Sequence, residues 1–198
     1  MKIGKILESY PDFNVKYTRS TDVFIPLRDR AKIANDFEAD LFVSVHCNSS
    51  VSPKPYGAMT LVMGLSRAGM NFEIAKAENA VISLEDNFKE KYEGFDPTSP
   101  ESYMMFNLMQ KAYVGNSISL ADRIETQFRE KVGRKSRGVK QGPFYVLWTP
   151  SMPSVLVELG FLSNTEEEQF LMTKEGQEYM ASAIYRSIKD YKSEIEMN

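Results

Sequence analysis

The spacing of apolar and polar positions changes several times along the chain, and each change marks an element. Near the start, Ile3, Ile6 and Leu7 fall on one helical face within IGKILESY, and VKYT (15–18) follows as a short strand candidate. Pro26 suits the first turn of a helix in which Leu27, Ala31, Ile33 and Ala34 mostly face inward, up to Asn35. LFVSVH (41–46) is β-branched and almost continuously apolar, as expected of a strand covered on both faces. GAMTLVMG (57–64) reads as another strand, bounded by glycines.

Residues 71–93 carry the most regular helical stripe: Ile74, Ala77, Val81, Leu84 and Phe88 repeat at spacings of 3, 4, 3 and 4. EGFDPTSPE breaks it, Ser99 and Pro100 offer a cap and first position for a next helix, and 115–132 is helical again. FYVLW (144–148) and SVLVEL (154–159) predict two further strands. TEEE (165–168) fits a capping box, with carboxylates where the helix dipole favours them. A last helix is expected from Glu175 to Lys192. Strands separated by helices predict an α/β fold: a single mixed, largely parallel sheet with helices on both faces.

Composition narrows the classes. A chain of 198 residues suffices for one domain that buries roughly 70% of its unfolded surface. No apolar run approaches the ~20 residues of a membrane span. A net charge of −3 lacks the basic face that nucleic acid requires. Cys47 is the only cysteine, so no internal disulfide forms. MKIGKILESY lacks the long apolar segment and cleavage site of a signal peptide.

Ligands of open α/β sheets bind outside the carboxyl ends of strands. His46, the sole histidine, and Glu158 stand at such ends, each after an apolar run. An ionised carboxylate there is costly without a partner. Two readings stay open for each: Glu158 as a structural ion pair with Arg137 or Lys140, or as a functional acid; His46 as a satisfied core residue, or as a ligand. Cys47 is expected on the opposite face of the strand, as a small buried hydrophobe. Trp148 reads as packing, and the methionines of SYMMFNLM as core packing.

Longer motifs add a resemblance. Thr18-Arg19, Arg30 with Ala34-Asn35, Ser44-Val45-His46, Arg137-Gly138-Val139 and Val157-Glu158-Leu159-Gly160-Phe161, in this order, resemble the zinc-dependent N-acetylmuramoyl-L-alanine amidases of the Amidase_3 type, over residues 15–192 apart from what the resemblance marks as an inserted helical region at 65–117. The resemblance implies hydrolysis of the amide between N-acetylmuramic acid and L-alanine of peptidoglycan, in cell-wall remodelling and daughter-cell separation. It implies one zinc ion (Zn2+), with His46 as a metal ligand and Glu158 as the catalytic acid–base, and a bacterial envelope location, periplasmic or extracellular. Asn48, beside the metal position, is a candidate substrate contact. In the family another zinc histidine and a metal glutamate belong upstream of Thr18-Arg19. The chain is therefore expected to be N-terminally truncated, to hold little zinc and to be inactive as it stands; the alternative is a non-catalytic relative that binds peptidoglycan or a partner. The insertion resembles a regulatory segment that closes the zinc groove with a glutamate until an activator protein displaces it. Glu78 is the first candidate for that contact and Glu85 the second.

Overall fold

In the computed structural model, residues 2–64, 70–92, 95–97, 99, 102 and 113–197 are described. Four strands form one sheet: β1 (Phe42–Asn48), β2 (Ala58–Met63), β3 (Ser136–Gly142) and β4 (Ser154–Phe161), in the order β1-β4-β2-β3. β1 pairs parallel with β4 and β2 parallel with β3, while β2 and β4 run antiparallel. The sheet is thus mixed and largely parallel, as expected.

Strand alternation sorts the interior into two layers. Met59, Leu61 and Met63 of β2, with Leu156 of β4 and Phe42 of β1, face a first layer made by α2 (Leu27–Asp36), α3 (Met70–Asn79) and the buried segment 144–147. Ala58 and Val62, with Val155 and Val157, face a second layer made by α1 (Lys2–Glu8), α5 (Val114–Gln127), α6 (Thr165–Met172) and α7 (Lys174–Met197). Another short helix, α4 (Phe88–Lys91), lies in the insertion. Ile3 and Ile6 pack on the second layer beside buried Leu7, so the opening helical face forms as read. α5 continues as a wider turn over Phe128–Val132 and stops at Gly133, whose φ of 71° is the left-handed C-terminal geometry that glycine tolerates.

Several expectations need correction. Residues 15–18 join no ladder among the described residues; Val15 is instead half-buried against the second layer. FYVLW is not a strand: Tyr145–Leu147 form a tight helical turn, because Leu147 N–H bonds back to Phe144 and Trp148 N–H to Tyr145. An unbroken apolar run reports burial, which this segment has, without a period to say which backbone carries it. The third strand is the more polar Ser136–Gly142. The 71–93 stripe does not form one helix: α3 ends at Asn79, a narrower turn runs from Ala80 to Leu84, and Asn87 takes a left-handed φ of 57° before α4. Its buried positions are Ala75, Asn79, Ile82, Glu85 and Tyr92, whereas Leu84 is 83% exposed. β1 is an edge strand among the described residues, and its second face is open: Val45 is 41% exposed and Cys47 is exposed rather than buried. Helix α6 is capped by Asn164, whose side chain accepts from Glu167 N–H, not by Thr165. Pro100 and most of SYMMFNLM lie outside the described residues.

Candidate active site and metal centre

Two strand ends and one helix end meet on the first layer. His46 of β1 and Glu158 of β4 are direct register partners, so their side chains leave adjacent strands on the same face. Met59 of β2 flanks Glu158 on the other side. The helix end is fixed by Asn79, a buried side chain whose amide donates to the Pro143 carbonyl and accepts from Tyr145 N–H, both at 2.9 Å. With the last turn of α3 held down in this way, Glu78 Oε2 lies 2.9 Å from His46 Nδ1. The other ring nitrogen, Nε2, is 3.0 Å from Ser44 Oγ, two residues back along the same face.

Glu158 is 0% exposed, and neither carboxylate oxygen has a hydrogen-bond partner. Burial, and then the charge of Glu78, push its carboxyl up to about 8. The ion pair left open by the sequence does not form: Arg137 donates to the Tyr56 carbonyl at 3.2 Å and its guanidinium lies over the Phe161 ring, and Lys140 does not reach the carboxylate. One nitrogen of His46 and one oxygen each of Glu78 and Glu158 lie within 4.8 Å of one another. An imidazole with two carboxylates is a donor set suited to a divalent ion such as zinc. Two buried oxygens without donors are what such an ion, or a water bound to it, satisfies. The residues fit a metal. A cavity of about 260 Å³ opens beside them, walled by Arg30, His46 and Glu78 with Leu27, Val81 and Val146.

Other candidates stand elsewhere. Glu85 is buried, but one of its oxygens accepts from the Tyr92 hydroxyl and it is outside the cluster. Asn48 Oδ1 accepts from Ser49 N–H at 2.7 Å, closing a local turn at the strand end. Asn35 clamps the approach to β4, donating to the Thr149 carbonyl and accepting from Ser151 N–H.

The outline of this structure has counterparts. The sequence profile described as N-acetylmuramoyl-L-alanine amidase, Amidase_3, matches residues 1–190. The chain belongs to this amidase family. The N-acetylmuramoyl-L-alanine amidase AmiA of Escherichia coli K12 is 35% identical over 181 residues, covering 90% of this chain and 61% of that protein. The chain therefore spans about three fifths of the length of that relative. Among solved structures, the N-acetylmuramoyl-L-alanine amidase AmiC2 of Nostoc punctiforme superposes with a TM-score of 0.68 at 25% identity, covering 97% of this chain and 79% of that one. An N-acetylmuramoyl-L-alanine amidase from Clostridium difficile 630 reaches 0.69 at 23% identity over 97% of this chain and 78% of that one, a likeness of fold.

Sequence reasoning missed three residues. Asn79 aims Glu78; its signal is a polar side chain at a position that continues the buried face of α3. Glu125, on α5, is buried and accepts from Thr60 Oγ1 at 2.8 Å, from Ser136 Oγ and from Gly138 N–H at 3.3 Å. Glu167 was placed by sequence at a helix start, but its carboxylate turns inward. It accepts from Gly57 N–H at 2.9 Å and Phe161 N–H at 2.8 Å and pairs with Arg134, tying the start of β2 to the end of β4. A Cβ on Gly160 would lie 2.6 Å from that carboxylate, so the glycine two residues after Glu158 is required by close approach.

Proposed function

We propose that this chain is the catalytic part of a zinc-dependent amidase that cleaves the bond between N-acetylmuramic acid and L-alanine in peptidoglycan, at the bacterial cell envelope, in wall remodelling and daughter-cell separation. The observation that carries the reading is the buried, unpartnered carboxylate of Glu158 beside the only imidazole of the chain. Family membership, and relatives named for this activity, support it.

His46 and, in the arrangement seen, Glu78 would hold the ion. With Glu158 they make a three-donor set, so zinc uptake and turnover are expected of this chain, where the sequence alone predicted little zinc and no activity. Zinc bound there supplies a water of pKa about 7 and polarises the scissile carbonyl. Glu158 takes the proton of the attacking water and passes it to the departing amine of L-alanine, so one carboxyl serves as base and then as acid. Ser44 sets the ring of His46 from the far nitrogen. Glu78 occupies the place of substrate at the metal centre in this arrangement, and withdrawal of α3, by an activator protein in the cell, opens the site. Among the described residues no helix is long and apolar enough to cross a membrane.

The test is incubation with purified sacculi and zinc, read by mass spectrometry for released stem peptides that begin with L-alanine, alongside zinc uptake. Zinc-dependent release that Glu158→Gln abolishes, with zinc uptake that His46→Ala abolishes, is expected. Binding to sacculi without release, even after residues 70–112 are removed, would instead mark a non-catalytic wall-binding relative. Release that survives Glu158→Gln would overturn the mechanism.

A further inference from the structure

The wall of the cavity beside His46 carries a cation that the proposed chemistry does not use. Arg30 lines that cavity together with His46 and Glu78. Its Nε donates to the Ile25 carbonyl at 2.8 Å, which fixes the guanidinium at the start of α2. Among the described residues no acceptor is bonded to its two terminal nitrogens. The acids in its neighbourhood are not bonded to it: Glu78 pairs with His46, and Glu85 accepts from the Tyr92 hydroxyl through one oxygen while its other is buried without a partner. A second guanidinium, that of the exposed Arg19, acts on the same place and is tied only to the Val23 carbonyl at 3.3 Å. Burial, and then the charge of Arg19, hold the Arg30 guanidinium below its ordinary range, while Tyr92, Glu78 and Glu85 act in the opposite direction. Two neighbouring cations with a planar fork left over make a place for an anion, and a carboxylate matches that fork with two parallel hydrogen bonds.

We propose that Arg30, assisted by Arg19, is a carboxylate-binding subsite beside the reacting centre, and that it reads an acidic group of the stem peptide close to the bond that is cut. The cavity sets the distance. At about 260 Å³ it admits little more than one or two residues of extended peptide, each ~3.4 Å long. The anion therefore belongs to the residue next to L-alanine, which in stem peptides bears a free carboxylate or its carboxamide. The same geometry couples recognition to the closed state. Glu78 places a negative charge in the cavity that Arg30 walls, so the substrate carboxylate and Glu78 compete for one positive field. This inference rests on the amidase reading above.

The test measures binding by calorimetry, so it does not need turnover. The probes are two N-acetylmuramoyl tripeptides that differ only in a carboxylate or a carboxamide on the second residue. They are titrated into the whole chain, its Glu78→Gln variant, and Arg30→Gln, Arg30→Lys and Arg19→Gln made on the Glu78→Gln background. The Glu78→Gln protein is expected to prefer the carboxylate by roughly tenfold or more, the scale of a charge-assisted hydrogen bond. Wild type, with the Glu78 charge still in the cavity, binds both more weakly and shows a smaller preference. Arg30→Gln removes the preference, Arg30→Lys keeps part of it, and Arg19→Gln reduces it. Equal binding of the two probes by the Glu78→Gln protein overturns the subsite, and so does a preference that survives Arg30→Gln. Should Arg30→Gln fail to fold, an undiminished preference in both Arg30→Lys and Arg19→Gln overturns it equally. Failure of both probes to bind the Glu78→Gln protein overturns the peptidoglycan reading itself, and the subsite with it.

Discussion

Glu125 and Glu158 are both buried carboxylates against the same sheet, one on each face, and their surroundings are opposite. Glu125 receives two hydroxyls and one backbone N–H. Glu158 receives nothing. Glu167, on α6 with its carboxylate turned to the end of β4, resembles Glu125: two backbone donors and a guanidinium use its oxygens. Burial raises the carboxyl of Glu125 as it raises that of Glu158, so the protonation tendency alone does not separate them. The donors do. A buried acid surrounded by donors ties elements together; one left without donors keeps its oxygens for a group that arrives later.

The largest effect expected from this contrast is at Glu167. Glu167→Ala strands Arg134 and two backbone N–H groups at the junction of β2 and β4, and should destabilise the fold by about 3–5 kcal/mol in urea unfolding. Glu125→Ala leaves three neutral donors and should cost about 2–3 kcal/mol. Glu158→Gln should act with the opposite sign, raising the stability of the metal-free protein by about 1–2 kcal/mol while abolishing hydrolysis. A loss of stability in Glu158→Gln similar to those at Glu125 and Glu167 would erase the comparison.

The smallest effect is a pH dependence. The folded carboxyl of Glu125 is raised above its ordinary value of 4.5, chiefly by burial, against the lowering pull of Ser136, Thr60 and Gly138. The folded state then holds a proton that the unfolded state has released, so this residue's contribution to stability is complete below pH 4.5 and is lost as pH rises through the folded value. Glu125→Gln should therefore show a deficit relative to wild type that narrows with rising pH above 4.5, measured as the difference in urea midpoints between pH 4 and pH 7. A deficit that widens with pH would mean that the donors outweigh burial.

Much of this was readable before any coordinates. β4, β2, α2, α5 and α7 follow from period and punctuation, because each buries one coherent face or an entire strand. His46 and Glu158 were legible as ionisable groups interrupting apolar runs, and pairing of β1 with β4 brings them together. What was not legible depends on partners distant in sequence. Asn79 breaks the 71–93 stripe by bonding Pro143 and Tyr145, more than sixty residues away. The same bond from Tyr145 helps fold FYVLW into a turn. Glu167 carries a helix-start signal that is real, yet its side chain answers to Gly57 and Arg134. Residues 15–18 have strand composition, but a strand also needs a neighbour to pair with.

The most direct measurement is an anomalous difference map, collected at the zinc absorption edge, from a crystal of this chain soaked in zinc. One peak bonded to the imidazole of His46, in the space shared with Glu78 and Glu158, is the result this account predicts. A peak elsewhere, or an unmetallated His46 at saturating zinc, would contradict it.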